Sequence, residues 1–598
     1  MCGIAGLFDF NHQYDAPQRT AIVNRFSELQ KHRGPDASGL WQSENQACVL
    51  GHTRLSIIDL DPRSNQPMSE GQGRYVLSFN GEIYNYKQLR QSLISSGVTF
   101  KTDSDTEVLI EAYACWGDEL FAQLDGMFAL AIYDNQEQTL RLVRDRMGEK
   151  PLYVAKTTDA WAFSSELKPL LTLPGLSHEI SDASLFEYFS LRYVLDPHTL
   201  FEDIQCVQPG CMAIINSQGE YTEKSYFAFD LQSKQQRDEV NPAQYLDALD
   251  NVFTDAVSTR LVADVPVGAF LSSGVDSSLV CAIAAKKLNS DVRCFSAGFV
   301  GGKENETDAA QQIADHLGLP FEYYLVSPED MLQTARHFGE LLDEPNGDRS
   351  CVPMYFLSRL VKSQVTVAVS GDGGDELFGG YGRYQPLKTT QQAKFNQVNA
   401  ISEYFSQRLP VFPTDALTQA MPEQQQSFRH RIMSRFVPAF ARTDLQDIER
   451  MRLMDAHSYM PGAVLAKVDR MSMRHSLEVR TPFFHPSILA LSMQLPVNLS
   501  TDGHELKLIL RQLLARYLPQ HLIRPGKQGF GMPASFFQKY AGIFEELAKQ
   551  ADEILFDWKP MKNNLQRFEQ LRAASRSNIN SYWAWIVLGQ WTQSWPKQ

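Results

Sequence analysis

The chain has 598 residues, of which 43% are hydrophobic and 21% charged, enough for several packed domains and typical of a soluble globular protein. Its net charge of -14 excludes a general affinity for nucleic acid or anionic membrane, so the expected ligands are small molecules. The eight cysteines are scattered without a CxxC pair or zinc-ligand spacing, and no signal-peptide progression or apolar run of about 18 residues occurs, so a reduced, cytoplasmic chain is expected.

The chain opens Met1-Cys2-Gly3-Ile4-Ala5-Gly6. Removal of Met1 would give Cys2 both a thiol and a free α-amine, and that amine can take the thiol proton near neutral pH. Apolar alternation at residues 3–8, 48–58, 75–79, 128–133 and 140–143 predicts strands, while helical periodicity marks 17–31, 86–95 and 106–116, the last opened by Ser104 and Asp105. Strands outnumber helices without regular alternation, which predicts an α+β sandwich.

Loops between these elements carry Arg33-Gly34-Pro35-Asp36, Arg54-Leu55-Ser56, Asn80-Gly81-Glu82 and Ser104-Asp105. Each has an ordinary reading: Asn80-Gly81 as a type I′ hairpin turn, Arg54 as a paired surface arginine, Asp105 as a helix cap. Taken with Cys2 they suit a small amino acid. An arginine pairs with an α-carboxylate, an aspartate with an α-ammonium, and an Asn amide beside a Gly N–H receives an oxyanion.

These residues, with Asp125-Gly126-Met127-Phe128 and Arg144-Asp145-Arg146-Met147-Gly148, resemble the class II glutamine amidotransferases. The resemblance implies an N-terminal nucleophile αββα sandwich over residues 2–215. It makes Cys2 the nucleophile, Arg54 the holder of the glutamine carboxylate, Asp105 and Glu82 the holders of its amino group, and Asn80 with Gly81 the oxyanion hole. The expected products are ammonia and glutamate.

Residues 216–242 read as a linker, polar and rich in Lys and Gln from 228 onward. Beyond them, strands at 265–271, 292–299, 321–326 and 365–369 alternate with helices at 277–288, 307–317 and 353–362. This predicts an α/β doubly wound parallel sheet with ligands at the C-terminal strand ends. Two loops fall there. Leu271-Ser272-Ser273-Gly274-Val275-Asp276-Ser277-Ser278 has small residues and a following helix suited to an anion, without the lysine of a Walker loop. Ser370-Gly371-Asp372-Gly373-Gly374-Asp375-Glu376 follows the next strand, and Asp276 with Asp375 would suit Mg²⁺ shared with ATP oxygens.

Both loops resemble the pyrophosphatase-type ATP site of asparagine synthetases, with Ser273 where that family usually has Gly. By position, Leu271, Ala297, Ser370, Gly371 and Asp372 would contact the nucleotide, and Ser272, Gly274, Asp276, Ser277 and Ser278 the pyrophosphate and metal. Lys507 lies in the apolar-periodic stretch 506–514, where a lysine ordinarily snorkels to solvent, yet the resemblance assigns it to the adenylation transition state, with Lys467 a second candidate. Residues 386–460 read as helix-rich, within helical additions that complete a 243–598 synthetase domain.

Over nearly its full length the chain resembles a glutamine-hydrolysing asparagine synthetase. That implies ATP cleavage to AMP and pyrophosphate, an acyl-adenylate, and ammonia passed through an enclosed channel to a carboxylate acceptor, aspartate first. Asp372, where asparagine synthetases often carry glutamate, and the run from Asp343 to Ser350 keep another acceptor open, such as a uronic acid sugar of a surface polysaccharide. A glutaminase alone, a β-lactam synthetase and a silent scaffold fit less well, since Cys2, Arg54, Asp105, Asp276 and Asp375 are all present. No nucleic-acid or membrane partner is expected, and a homodimer is left open.

Overall fold

A computed structural model describes residues 2–301, 306–384, 411–526 and 530–594. The N-terminal half is built on two six-stranded antiparallel sheets. Gly3–Phe8 pairs with Cys48–Arg54 on one side and Trp161–Ser164 on the other, at the centre of the first sheet. Tyr75–Ile83 pairs along its whole length with Gly126–Asp134 in the second. Ile4, Phe8 and Leu50 meet Val76, Ala129 and Tyr133 between the sheets. The outer faces are covered by Ala16–Leu29 on the first sheet and by Tyr86–Ser95 and Asp105–Trp116 on the second, giving an αββα sandwich.

Tyr221–Ser225 is a strand paired with Cys211–Ile215. The first ten residues of the expected 216–242 linker therefore belong to the second sheet or its turn, because that edge needs a hydrogen-bonding partner. Polar composition hid this short, half-exposed edge strand. Lys234–Asp238 then forms one helical turn, and Pro242–Arg260, capped by Asn241, enters the second half.

There, five strands lie parallel in the spatial order Phe321–Val326, Arg293–Phe299, Val267–Phe270, Val367–Val369, Glu478–Arg480. Helix Val275–Lys286 packs on one face and Cys351–Lys362 on the other. The chain reverses its direction of winding between Val267–Phe270 and Val367–Val369, the crevice where such sheets receive ligands. Of the stretch expected to be helix-rich, 386–410 lies outside the described residues, and 411–460 contains Thr414–Ala420, Pro422–Ala441 and Asp447–His457. Trp583, Trp585 and Trp591 of Ile579–Gln593 are wholly buried in the shared core. No helix among the described residues is long and apolar enough to cross a membrane.

Candidate active sites

Cys2 sits at the head of the central strand of the first sheet and is 7% exposed. Its backbone nitrogen donates to Asn80 Oδ1 at 3.0 Å, its thiol lies 4.0 Å from the Leu55 carbonyl, and Arg33 Nε donates to its carbonyl at 3.1 Å. Burial pushes the thiol above its ordinary value, opposed by the nearby Arg54 charge.

Asn80 and Gly81 lie inside the Tyr75–Ile83 strand, opposite Ala129 and Phe128, so the hairpin-turn alternative does not apply. A Cβ on Gly81 would strike the Met127 carbonyl and come within 2.7 Å of Phe128 Cα, so only glycine permits this approach. Asn80 Nδ2 is buried without a hydrogen-bond partner. Such a donor costs free energy unless something is bound there, and it lies one amide width from the contact with Cys2.

Arg54 is buried, and both its terminal nitrogens meet neutral oxygens: Asp61 O at 3.1 Å, Asn65 Oδ1 at 2.8 Å, Ile58 O at 3.4 Å and Asp59 O at 2.5 Å. It braces the loop after its strand, and none of those partners offsets its charge. Asp105 follows the Ser104 cap and accepts from Ile83 N at 3.0 Å. Burial raises its carboxyl to about 6, with Glu478 adding to the effect and the Ile83 bond opposing it. Glu82 is raised well above the carboxylate range by burial and by Glu478, with Arg480 Nη2 at 3.4 Å from its Oε2.

Glu478 and Arg480 belong to the edge strand of the second half, so the first site is completed from across the interface. Among the ion pairs that cross it are Arg260 with Asp125 at 2.6 and 2.7 Å, and Arg33 with Asp469 at 2.9 and 3.1 Å. Each is bidentate, and the sequence offered no signal for these pairings, which join residues 135 and 436 positions apart.

The second site is a cavity of about 320 Å³ at the sheet's switch point. Leu271, Ser272, Gly274, Asp276 and Ser277 line it from the first loop, Ser370, Gly371, Asp372 and Asp375 from the second. The first loop is cross-braced: Ser272 N donates to Ser277 Oγ at 3.0 Å, the two hydroxyls are 2.9 Å apart, and Gly274 N donates to Ser272 Oγ at 3.1 Å. Gly371 lets the loops touch, since a Cβ there would stand 2.6 Å from Ser277 N.

Ala297 does not line the cavity. Its strand alternates, so Ser296 faces the ligand space while Ala297 is buried in the apolar core. Ser278 is also outside the lining, buried beneath the loop with Oγ 3.4 Å from Ser272 O.

Lys507 stands at the N-cap before Leu508–Leu514, in left-handed backbone at φ 56°, rather than within a helix. It is 7% exposed, so it does not snorkel. Its ammonium is bonded to Asp276 and lies 2.5 Å from Asp375, and these carboxylates outweigh burial to raise its pKa. Their pull holds a non-glycine residue in a conformation that costs roughly 1–3 kcal/mol. Lys467 Nζ donates to Ser350 Oγ at 2.9 Å, and burial's opposition to its charge is overcome by Asp348 and Asp372. Tyr459 OH donates to Asp348 Oδ2 at 3.2 Å, placing a tyrosine 111 residues away at this end of the cavity.

The donor set suits a hard cation. Two carboxylates from neighbouring loops already converge on one ammonium, and no group of three or more His, Cys, Asp or Glu among the described residues holds a metal unaided. Phosphate oxygens would have to complete the shell.

Residues 248–593 match the asparagine synthase family and residues 1–227 the glutamine amidotransferase domain family. Glutamine-hydrolysing asparagine synthetase 1 of Bacillus subtilis is 32% identical over 568 residues, covering 90% of this chain and 88% of that protein. A putative glutamine-hydrolysing asparagine synthetase of Mycobacterium tuberculosis is 32% identical over 565 residues, covering 88% and 86%. The protein named amidase chry2 of Gibberella zeae is 30% identical over 386 residues, covering 62% and 57%. With a class II glutaminase fold joined to a nucleotide-type parallel sheet, and matches of this extent, the chain belongs to the asparagine synthase family, a glutamine-dependent, ATP-using amidotransferase.

Proposed function

We propose that the protein converts aspartate to asparagine with glutamine as nitrogen donor, through an aspartyl-adenylate. The observation that carries this reading is the pairing, in one chain, of a buried Cys2 beside an unpartnered Asn80 amide with a lysine–carboxylate cluster at the sheet's switch point.

In the first half, loss of Met1 turns the nitrogen that meets Asn80 Oδ1 into the amine that accepts the thiol proton. Arg54 receives the glutamine α-carboxylate, and Asp105 with Glu82 receives its ammonium, which favours their ionised forms. Cys2 Sγ adds to the side-chain amide carbon, and Asn80 Nδ2 with the Gly81 N–H takes the developing oxyanion. Ammonia leaves with the proton from the thiol, and water then cleaves the thioester to give glutamate.

In the second half, the first loop and the start of Val275–Lys286 receive the phosphates. Mg²⁺ bound by Asp276, Asp375 and phosphate oxygens would neutralise the pyrophosphate leaving group. Lys507 and Lys467 neutralise charge at the α-phosphate as an acceptor carboxylate oxygen attacks and the bond to pyrophosphate breaks. Ammonia then attacks the acyl carbon, loses a proton and displaces AMP. A zwitterionic acceptor finds Lys467 for its carboxylate and Asp348 for its ammonium, which favours aspartate. A cavity of about 20 Å³ bounded by Lys150, Val468, Asp469 and Thr481 shares Ser370 and Asp372 with the nucleotide cavity, which supports an enclosed route for ammonia.

Asp372 favours a second reading, the same chemistry on a uronic acid. Pyrophosphate release from ATP, Mg²⁺ and ammonia across a panel of carboxylates decides between them. Aspartate is expected to exceed glucuronate and galacturonate by at least about a hundredfold in kcat/KM, since it alone satisfies both charges. Preference for a uronate would overturn the acceptor assignment and leave the two-site chemistry intact.

A further inference from the structure

Helix Ala466–Met473 carries Lys467 and Asp469 two positions apart, which puts their side chains on nearly opposite sides of one turn. Lys467 lines the nucleotide cavity. Asp469, 2% exposed, turns toward the N-terminal half, where Arg33 grips it through both terminal nitrogens at 2.9 and 3.1 Å. Arg470 Nη1 lies 3.0 Å from the same carboxylate and Lys150 Nζ 3.8 Å. The remaining nitrogen of Arg33, Nε, donates to the Cys2 carbonyl at 3.1 Å, and its side chain is wholly buried. A planar guanidinium held on two sides cannot rotate without breaking one of them. Arg33 Nη1 also lies 3.3 Å from Glu166 Oε1 of its own half, so the clamp on the nucleophile's carbonyl is anchored in both halves, with the two-point grip supplied by Asp469. A second contact fixes the same loop: Ser476 Oγ, three residues past that helix, donates to the His32 carbonyl at 2.6 Å.

We infer that Asp469 is a positioning residue for the Cys2 site, and that the helix it shares with Lys467 links occupancy of the nucleotide cavity to the rate of glutamine hydrolysis. The inference rests on the proposed roles of Cys2 and Lys467. When the acceptor and the α-phosphate arrive, Lys467 exchanges Ser350 for the ligand. Any adjustment of the helix backbone passes through Asp469 and the rigid Arg33 fork to the Cys2 carbonyl. A shift of a few tenths of an ångström there re-aims Sγ relative to Asn80 and Gly81, a misplacement to which rate is sensitive.

The test uses full-length Asp469→Asn, which keeps side-chain size and removes the charge. Three quantities are measured: ammonia-driven pyrophosphate release, glutaminase kcat and KM, and the ratio of glutaminase rates with and without ATP plus aspartate. The expected result is glutaminase kcat, read as glutamate release, down at least about tenfold with glutamine KM changed less than about threefold, a nucleotide response reduced to one, and ammonia-driven release reduced clearly less than glutaminase. Asp469→Glu, which keeps the charge, should recover part of the lost kcat. Unchanged glutaminase kcat and nucleotide response would overturn the inference. So would equal loss of both activities, which would assign Asp469 to the fold alone, and so would a parent protein whose glutaminase ignores ATP and aspartate. Failure of the underlying reading has a separate signature, parent glutaminase activity that survives Cys2→Ala.

Discussion

The two sites of this chain are assembled in different ways. The nucleotide cavity is walled by two short contiguous loops, each at the end of a parallel strand, the first braced by its own serines, and is closed by Lys467, Lys507 and Tyr459 from the same half. The Cys2 site draws single residues from strands and loops spread over the first 105 positions, and then takes Arg480, Glu478 and Asp469 from the other half. One site is lined from within a single half. The other depends on the interface, so a fault in domain packing should reach glutamine hydrolysis before it reaches nucleotide chemistry.

Substitutions in each site sharpen that contrast. Lys507→Met should have the largest effect. It leaves Asp276 and Asp375 facing each other without their ammonium, and pyrophosphate release should fall at least about a thousandfold with either nitrogen source while glutaminase persists. Asn80→Ala should lower glutamine-driven synthesis by about 10²–10³ in kcat and spare the ammonia-driven rate, which parallel assays with the two donors would read.

Asp105 gives a pH signature. Its carboxyl is raised to about 6, so it is protonated below that value and ionised above it. On the proposed reading the ionised form pairs with the glutamine ammonium, so glutamine KM should rise as pH falls through 6. Asp105→Asn should raise KM at pH 8 by roughly tenfold and flatten the profile. Ser278→Ala should be nearly silent, changing the KM for ATP by less than about threefold, because its hydroxyl meets only the Ser272 carbonyl from outside the cavity. A large effect there would mean that the first loop engages the nucleotide more deeply than its lining suggests.

The same contrast governs what could be read from the sequence. Strand-to-helix loops with Ser-Gly and Gly-Asp clusters are consecutive in sequence, so most of the residues that the resemblance assigned to the nucleotide line one cavity. The exceptions were Ala297, where Ser296 lines the cavity instead, and Ser278, buried beneath the loop. Strand and helix periodicity made an α+β sandwich legible and the resemblance supplied its αββα order, but Tyr221–Ser225 was not legible, since a short polar edge strand is indistinguishable from a linker in composition. Lys507 showed the limit of periodicity: leucines on both sides suggested a helix interior, whereas two distant carboxylates hold it at the N-cap. Arg33–Asp469 and Glu82–Arg480 carried no local pattern because their partners meet only when the halves pack together, and the Tyr459 contact with Asp348 carried none because the two are 111 residues apart within one half.

The division of labour between the halves is tested most directly by Cys2→Ala assayed for amide product with glutamine and, separately, with ammonia. Glutamine-driven synthesis should fall at least about a thousandfold while the ammonia-driven rate stays within about twofold of the parent. Comparable loss with both donors, or glutamine-driven synthesis that survives the substitution, would contradict the assignment of nitrogen release to Cys2.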